Sequence, residues 1–272
     1  MTGREGHMGT TSKALTLLDF FARTRPQVGL SDLSRLSGVN KATCFRLMTE
    51  LVDHGLAEQL GDSREYRIGP AVLRLAALRE ATVPLRDLAM PVVHDLAGRT
   101  GETAHVSHLV LGRLTTLAFA YGTAHATRVM MEDAEFLPFH ATSSGLALLA
   151  HLPAPQVAAI LSAPLPQLTN RTPVTPSALR ARIDLVQLQG HAETEGTYEA
   201  DVASLALPLF DAKGTCFGAI ALAAPVARMT ETARRTHLSA LITAARHVMA
   251  QWGGHPPASL SALWQPHETP NL

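Results

Sequence analysis

The sequence is poor in cysteine and contains no long apolar run. Cys44 and Cys216 are the only two cysteines among 272 residues, which argues against a disulfide framework or a zinc site. No apolar stretch reaches the roughly 18 to 20 residues of a membrane span. The first residues, MTGREGHMGTTSK, lack the apolar centre of a signal peptide. These absences lead us to expect a globular, cytoplasmic protein.

An excess of charge of one sign is also lacking. The 23 Lys+Arg residues balance 23 Asp+Glu residues, so the overall composition does not indicate a nucleic-acid partner. The residues up to Val83 contain 11 Lys+Arg against 9 Asp+Glu, and the remainder contains 12 against 14. This difference has the direction expected for a DNA-binding N-terminal part, but it is too small to decide the matter. The length fits one large domain or two ordinary ones.

The first seventy residues predict three helices followed by a hairpin. Ser12, Ser31 and Asn40 are suited to capping the three helices, and Gly38 is suited to ending the second. The segment GLAEQLGDSREYRIG then predicts two short strands around a Gly-Asp-Ser-Arg turn. This order is typical of a winged helix-turn-helix.

The third predicted helix, in GVNKATCFRLMTELVDHGL, has two different faces. At about 100° per residue, one stripe packs inward and consists of Cys44, Leu47, Met48 and Leu51. The opposite face is polar and basic near the helix start, where a recognition helix meets the base edges of the major groove. An ordinary solvated helix and a module for contacting another protein are the alternatives. We predict seven DNA-contacting residues, the last two in the wing: Lys41, Ala42, Thr43, Phe45, Arg46, Arg64 and Arg67.

Beyond Val83 the pattern indicates an α+β domain built on an antiparallel sheet. Strands are predicted in ETAHVSHLVL, LTTLAFAYG, VASLALPLF and CFGAIALAA, and the polar DAKGT is predicted to join the last two as a hairpin loop. Helices are predicted in LRDLAMPVVHDLAGRTG, SSGLALLAHL, PQVAAILSA, SALRARIDLVQLQG and TARRTHLSALITAARHVMAQW. We expect four parts: a tail and winged helix-turn-helix (1–69), a linker helix (70–83), the α+β domain (84–252) and a flexible tail (253–272).

Both halves resemble the IclR family of bacterial transcriptional regulators. The matching segments in the first half are SKALTLLDFFA, LSDLSRLSGVNKATCFRLMTELVDHGL and YRIGPAVLRL. In the second half they are PFHATSSGLALLA, NRTPVT, GHAETEGTYEADVASLALPLFDAKG and GAIALAAP. The resemblance implies a GAF-like effector-binding C-terminal domain and a homodimer or homotetramer on a palindromic operator in double-stranded DNA. It implies no cofactor.

The resemblance also implies where a small effector binds. By position, the effector-binding residues are Val129, Met131, Ser143, Ser144, Thr194, Ser204, Ala221 and Ala223, with the first two in a strand-like segment. Family members commonly have Lys in place of Leu146 and serines near Ala221 and Ala223, so this pocket should be more apolar than one for a small, highly charged acid. We expect a partly apolar or aromatic carboxylate, held by Ser143, Ser144 and neighbouring amides. Simple helix capping is the alternative role for the two serines.

A small-molecule hydrolase that uses the C-terminal pocket is the alternative function. No G-x-S-x-G elbow, P-loop or G-x-G-x-x-G occurs. His105 and His108 have a short, metal-like spacing, but a strand directs residues i and i+3 to opposite faces, so no metal site is expected. Cys44 and Cys216 are expected in the core. We therefore predict a regulator and not an enzyme.

Overall fold

The chain forms two compact units, Met1–Val83 and Pro84–Leu272, in a computed structural model that describes residues 9–21, 25–82, 85–131 and 136–265. Across these described residues, no helix has both the length and the apolar character that crossing a membrane would require.

The first unit has the predicted order of helices and strands. Its elements are α1 (Thr10–Leu18), α2 (Leu30–Ser37), α3 (Lys41–Asp53), β1 (Ala57–Gln59), β2 (Tyr66–Ile68) and α4 (Ala71–Thr82). β1 and β2 pair in antiparallel fashion, and Val28 bridges Tyr66 to widen this small sheet. The unit is a winged helix-turn-helix, and α4 follows it at the position predicted for a linker helix.

Two of the four predicted signals at helix ends are confirmed. Gly38 ends α2 with φ 69°, a left-handed conformation that glycine adopts without steric cost. The Asn40 side chain accepts a hydrogen bond from the Thr43 amide over 2.9 Å and caps α3. The predictions for Ser12 and Ser31 are wrong, because α1 and α2 begin two and one residues earlier. Ser31 Oγ instead accepts a hydrogen bond from Lys41 Nζ over 2.8 Å.

The second unit is a five-stranded antiparallel sheet in the order β4-β3-β7-β6-β5, with helices packed against it. Its strands are β3 (Thr103–Val110), β4 (Arg113–Ala120), β5 (Ala192–Glu195), β6 (Val202–Phe210) and β7 (Cys216–Pro225). Its helices are α5 (Leu85–Thr100), α6 (Ser143–Leu149), α7 (Ala154–Ser162), α8 (Pro176–Gln189), α9 (Glu231–Gln251) and α10 (Ala258–Leu263). The predicted α+β class and the β6–β7 hairpin are confirmed.

The central strand β7 separates two apolar clusters. Ile220, Leu222 and Ala224 belong to the larger cluster, which also contains buried residues of α5 and α9. Ala219 and Ala221 belong to a smaller cluster with residues of α6 and α8. Successive side chains of a strand point to opposite faces, so Ala219, Ala221 and Ala223 in the middle of β7 share the face toward α6. Small side chains there leave room between the sheet and α6.

Three features of this unit differ from the predictions. Val129 and Met131 lie in irregular backbone and not in a strand. The edge strand β5 was not predicted, because its four residues alternate too briefly to give a clear signal. The segment expected to be a flexible tail contains α10, and Trp264 is 3% exposed with its Nε1 donating to the Gly190 carbonyl over 2.8 Å. Burial of this large ring holds the segment on the core.

Candidate functional site

The α3 helix divides its residues as its sequence predicts. Its buried residues are Cys44, Leu47, Met48 and Leu51. On the other side Lys41, Ala42, Phe45 and Arg46 are exposed, and Thr43 is half-buried. Phe45 is 54% exposed, which is unusual for an aromatic ring without a partner to cover it. The first two turns of α3 therefore present two cations and an aromatic ring to the solvent.

The two arginines of the wing differ in their surroundings. Arg64 lies at the exposed hairpin turn and adopts a positive φ of 56°. Arg67 forms an ion pair with Glu58, its cross-strand partner. The guanidinium of Arg67 is thus already held by a carboxylate, whereas Arg64 has no ion pair with the described residues. Of the two, Arg64 is the better placed to meet a phosphate.

A narrow cavity of about 50 Å³ lies in the second unit between the sheet, the start of α6 and two loops. Such a volume exceeds the roughly 10–15 Å³ that a single water needs. Its lining consists of His105, Val129, Met130, Met131, Leu137, Ala141, Thr142, Ser143, Ser144, Thr194, Thr197, Tyr198, Glu199, Val202, Ser204 and Ala223. Seven of the eight residues predicted to bind an effector are therefore brought together.

Ala221 is the predicted residue that does not line the cavity. It is fully buried in the cluster that holds α6 and α8 against the sheet, two residues along β7 from Ala223. His105 is its cross-strand partner on β3, so the imidazole occupies the same face of the sheet at this level. The family resemblance placed Ala221 in the site, whereas the structure packs it in the core beside the cavity.

A relay of hydroxyl groups connects the edge strand to the start of α6. Ser204 Oγ donates to Ser143 Oγ over 2.7 Å, and Ser204 Oγ lies 2.8 Å from Thr194 Oγ1. Because a serine hydroxyl has one proton, Thr194 must donate to Ser204. Ser143 makes no other hydrogen bond to a described residue, so its own proton is available at the cavity.

The residue that caps α6 is Thr142. Its Oγ1 accepts a hydrogen bond from the Gly145 amide over 3.1 Å. Capping by Ser143 or Ser144, the alternative considered for these residues, is thus not their role. Both serine residues are 1% exposed, and their hydroxyls do not cap the helix.

His105 is one of the nine lining residues that were not among the predicted effector-binding residues. Its Nε2 lies 3.1 Å from Ser144 Oγ, and its Nδ1 is buried without a hydrogen-bond partner among the described residues. Burial lowers the pKa of His105 to about 4, so the ring is neutral near pH 7. The signal available in the sequence was period-two alternation, which directs His105 to the face that Ala221 and Ala223 share.

The pairing of Ser144 with His105 resembles part of a hydrolase site but lacks its chemistry. A general base needs a pKa near the working pH, and that of His105 is well below it. No carboxylate orients Nδ1, which is unpaired among the described residues. The other candidate nucleophile, Cys216, is buried, and burial raises the pKa of its thiol to about 12. These groups are poor nucleophiles.

The loop that lines the cavity beside β5 is held by threonine side chains. Thr197 Oγ1 donates to the Ala141 carbonyl over 2.6 Å, which ties this loop to the segment before α6. Thr172 Oγ1 in turn donates to the Thr197 carbonyl over 2.7 Å and accepts from the Thr169 amide. The NRTPVT segment therefore supports the cavity from outside without lining it.

The described lining contains no lysine or arginine. Glu199 is its one carboxylate side chain, and the remaining polar groups are hydroxyls and the neutral His105 ring. A ligand with several negative charges would find no cation in this part of the wall to offset its desolvation. The cavity is suited to a small ligand that is apolar over part of its surface and carries at most a single charge.

A winged helix-turn-helix in the same chain as a sheet unit with a partly polar cavity is the architecture of a DNA-binding protein that responds to a ligand. The chain belongs to the IclR family. Residues 10–61 match the IclR helix-turn-helix domain, and residues 79–250 match the C-terminal domain described as bacterial transcriptional regulator IclR. It is thus a DNA-binding transcriptional regulator with an effector-binding domain, and the comparisons give no support to the hydrolase alternative.

Individual relatives agree with this assignment. The transcriptional repressor IclR of Escherichia coli (strain K12) is 27% identical, with 92% of each chain covered. A crystal structure of a Silicibacter sp. TM1040 protein assigned to the same class of regulators is 49% identical, with a TM-score of 0.89 over 93% of this chain and 99% of that one. An IclR homologue from Microbacterium hydrocarbonoxydans, crystallised with 4-hydroxybenzoate, is 25% identical with a TM-score of 0.56, covering 90% and 99%.

Proposed function

We propose that this regulator binds a palindromic operator through α3 and the wing, and that a small effector in the cavity of the second unit changes its affinity for DNA. The observation that carries the proposal is the division of α3. Its buried stripe fixes the helix, which leaves the basic and aromatic residues of the opposite face available to the major groove.

Each DNA-contacting residue has a chemical role in this proposal. Lys41 and Arg46 contact phosphate or guanine, because both are cations near the helix start. Ala42 and Phe45 contact thymine methyl groups, and Thr43 contacts a backbone oxygen. In the wing, Arg64 contacts a neighbouring phosphate, and Arg67 does so only if it leaves Glu58.

The linker helix supports an oligomer. Leu73, Leu75 and Leu78 of α4 are 76%, 48% and 52% exposed in the single chain. Leu75 and Leu78, three residues apart, lie on one side of the helix and form an exposed apolar surface that a second copy would cover. We propose that two winged helices pair to form a homodimer on a two-fold operator, and that two such dimers can form a homotetramer. We also propose that the protein acts in the cytoplasm, because its target is DNA.

The effector is proposed to be a partly apolar or aromatic carboxylate. Val129, Met131 and Ala223 supply apolar surface, while Ser143, Ser144, Thr194 and Ser204 supply hydroxyl groups. The absence of a lysine or arginine from the described lining argues against a dicarboxylate. The relative crystallised with 4-hydroxybenzoate supports an aromatic acid as the first class to test.

The effector would act by shifting an equilibrium between two arrangements of the protein. A ligand that binds one arrangement more tightly raises its population and so alters operator affinity. Two curated relatives are named repressors, the transcriptional repressor IclR and the acetate operon repressor of Salmonella typhimurium, which supports repression as the mode of action.

The test has a DNA part and a ligand part. Duplexes are first selected from a randomised library by the full chain, and their affinity is measured as salt rises. We expect a palindromic consensus and a steep, log-linear loss of affinity with salt. A thermal-shift screen of aromatic and aliphatic acids then identifies ligands, and any hit is tested for its effect on the selected duplex. A protein that selects no duplex at low salt, with or without hits, is not this regulator.

A further inference from the structure

His105 holds a position that turns Ser144 into a hydrogen-bond donor. The imidazole is neutral, so exactly one of its nitrogens carries a proton. If Nδ1 carried it, a buried N–H would be left without an acceptor among the described residues, which is costlier than leaving a bare nitrogen unpaired. The proton therefore belongs on Nε2, which donates to Ser144 Oγ over 3.1 Å.

This tautomer leaves the Ser144 proton free. Ser144 Oγ makes no second hydrogen bond to a described residue, and the side chain lines the cavity. The Ser143 hydroxyl proton is also free, because Ser143 Oγ accepts its hydrogen bond from Ser204 and does not donate to it. The hydrogen bonds from His105 on β3 and from Ser204 on β6 thus leave the hydroxyl protons of Ser144 and Ser143 free, side by side at one wall of the cavity.

We infer that His105 is a positioning residue for the effector, and that the Ser143 and Ser144 hydroxyls together donate to one acceptor group of it, a carboxylate or a carbonyl oxygen. The inference rests on the proposed effector-binding function of this cavity. His105 does not need to touch the ligand. Because its Nε2 donates to Ser144 Oγ, the Ser144 proton is directed into the cavity. The selectivity it confers is for acceptor groups over donor groups.

The β7 side chains supply no hydrogen-bond donor to this arrangement. Ala221 and Ala223 offer no hydroxyl on the face toward α6, so β7 cannot supply a donor. His105, opposite Ala221 on β3, provides the polar function from the neighbouring strand. Its lowered pKa means that acidification to pH 5.5 does not add a positive charge to the site.

The tautomer is tested directly by ¹⁵N NMR of the histidine side chains in the full chain, with the His105 resonance assigned from His105→Gln. We expect a neutral ring protonated at Nε2 between pH 5.5 and 8. A ring protonated at Nδ1, or one that titrates in this range, overturns the inference whatever the ligand is.

Ligand selectivity is tested by calorimetry with 4-hydroxybenzoate, 4-hydroxybenzamide and 4-hydroxybenzyl alcohol. The wild type should bind the acid or the amide more tightly than the alcohol, and the better of the two distinguishes carboxylate from carbonyl. His105→Leu should weaken that ligand at least about tenfold and leave the alcohol nearly unchanged, because a hydrogen bond to a charged or strongly polar acceptor is lost. His105→Gln, whose amide can still donate to Ser144, should retain most of the selectivity.

Matched variants separate positioning from a general effect of folding. His151 is a half-buried histidine whose pKa is also lowered to about 4, and it does not line the cavity, so His151→Leu should not change selectivity. Ser144→Ala should weaken the acid at least as much as His105→Leu, and the double variant should be no weaker than Ser144→Ala, because His105 acts only through the Ser144 hydroxyl. If His105→Leu does not fold, the probe selectivity of Ser144→Ala is compared with that of His105→Gln instead.

Three outcomes would overturn the inference. His105→Leu could weaken all three probes equally, the losses in the double variant could be additive, or the wild type could bind none of the probes. Operator binding is measured separately, without ligand. A protein that selects DNA but binds no probe refutes this inference alone, whereas one that binds the probes selectively but no DNA refutes the proposed regulator.

Discussion

Ser204 donates a hydrogen bond from its Oγ to the Oγ of Ser143 over 2.7 Å and so joins strand β6 to the first residue of α6. The two residues are 61 positions apart in the chain. Both sides of the cavity therefore share one hydroxyl network, which also includes Thr194 on the edge strand. A substitution of Ser204 should therefore affect the hydrogen bonding of both Ser143 and Thr194.

The substitution Ser204→Ala removes that centre. It leaves the Thr194 hydroxyl without its acceptor and Ser143 without its donor inside the protein, and an unpaired buried polar group costs about 1–3 kcal/mol. We expect the free energy of unfolding to fall by about that amount in urea titrations. Ser162→Ala is the control, since its hydroxyl is exposed and bonds only to its own helix. A Ser204→Ala protein as stable as the control would show that the network contributes nothing.

Two alanines on one strand face should respond differently to enlargement. Ala223→Leu places three extra carbons in the cavity, so ligands found by thermal shift should no longer bind, while operator affinity without ligand stays within about twofold of wild type. Ala221→Leu enlarges a closely packed core position and should cost about 1–3 kcal/mol of stability. Calorimetric titration and urea denaturation of both variants check this contrast. Undiminished ligand binding by Ala223→Leu would place the effector elsewhere.

The recognition helix gives a prediction about salt dependence. Arg46→Ala should weaken binding to the selected duplex and, if the guanidinium contacts a phosphate, reduce the slope of log affinity against log salt by about 1. If the guanidinium contacts guanine instead, Arg46→Ala should lower the discrimination between guanine and other bases at that position by about 1–3 kcal/mol. Discrimination at the other positions of the duplex should change little. Arg180→Ala removes the same charge from an exposed position of α8 and is the control. If Arg46→Ala and Arg180→Ala had the same duplex affinity and the same salt dependence, Arg46 would not contact DNA.

Long periodic segments and strongly capped helices were predictable from the sequence. The buried stripe of α3 and the Asn40 cap follow from helical spacing and local hydrogen bonding, so they need no knowledge of the rest of the fold. His105 was missed because its partner Ser144 is 39 residues away, and only the sheet and α6 bring the two together. The packing of Trp264 against Gly190, 74 residues apart, was unpredictable for the same reason.

The histidines whose pKa is lowered predict a loss of stability in mild acid. Burial lowers the pKa of His151 to about 4, whereas the unfolded chain titrates near 6.5, so below pH 6.5 the unfolded state binds the proton more readily. The stabilising contribution of the neutral ring is complete above pH 6.5 and is lost as the pH falls toward 4. Between pH 7.5 and pH 5 this loss amounts to about 2 kcal/mol for one such residue.

Urea denaturation at several pH values isolates the part that belongs to His151. His105 has the same direction of shift and remains in both proteins, so the wild type should lose about 2 kcal/mol more than His151→Leu over this range. Val157→Ala is the matched control, because it creates a cavity in a buried apolar site without removing a titrating group. Its destabilisation should be the same at every pH. A His151→Leu protein whose pH dependence equals that of the wild type would mean that the His151 ring is protonated as readily in the folded protein as in the unfolded chain.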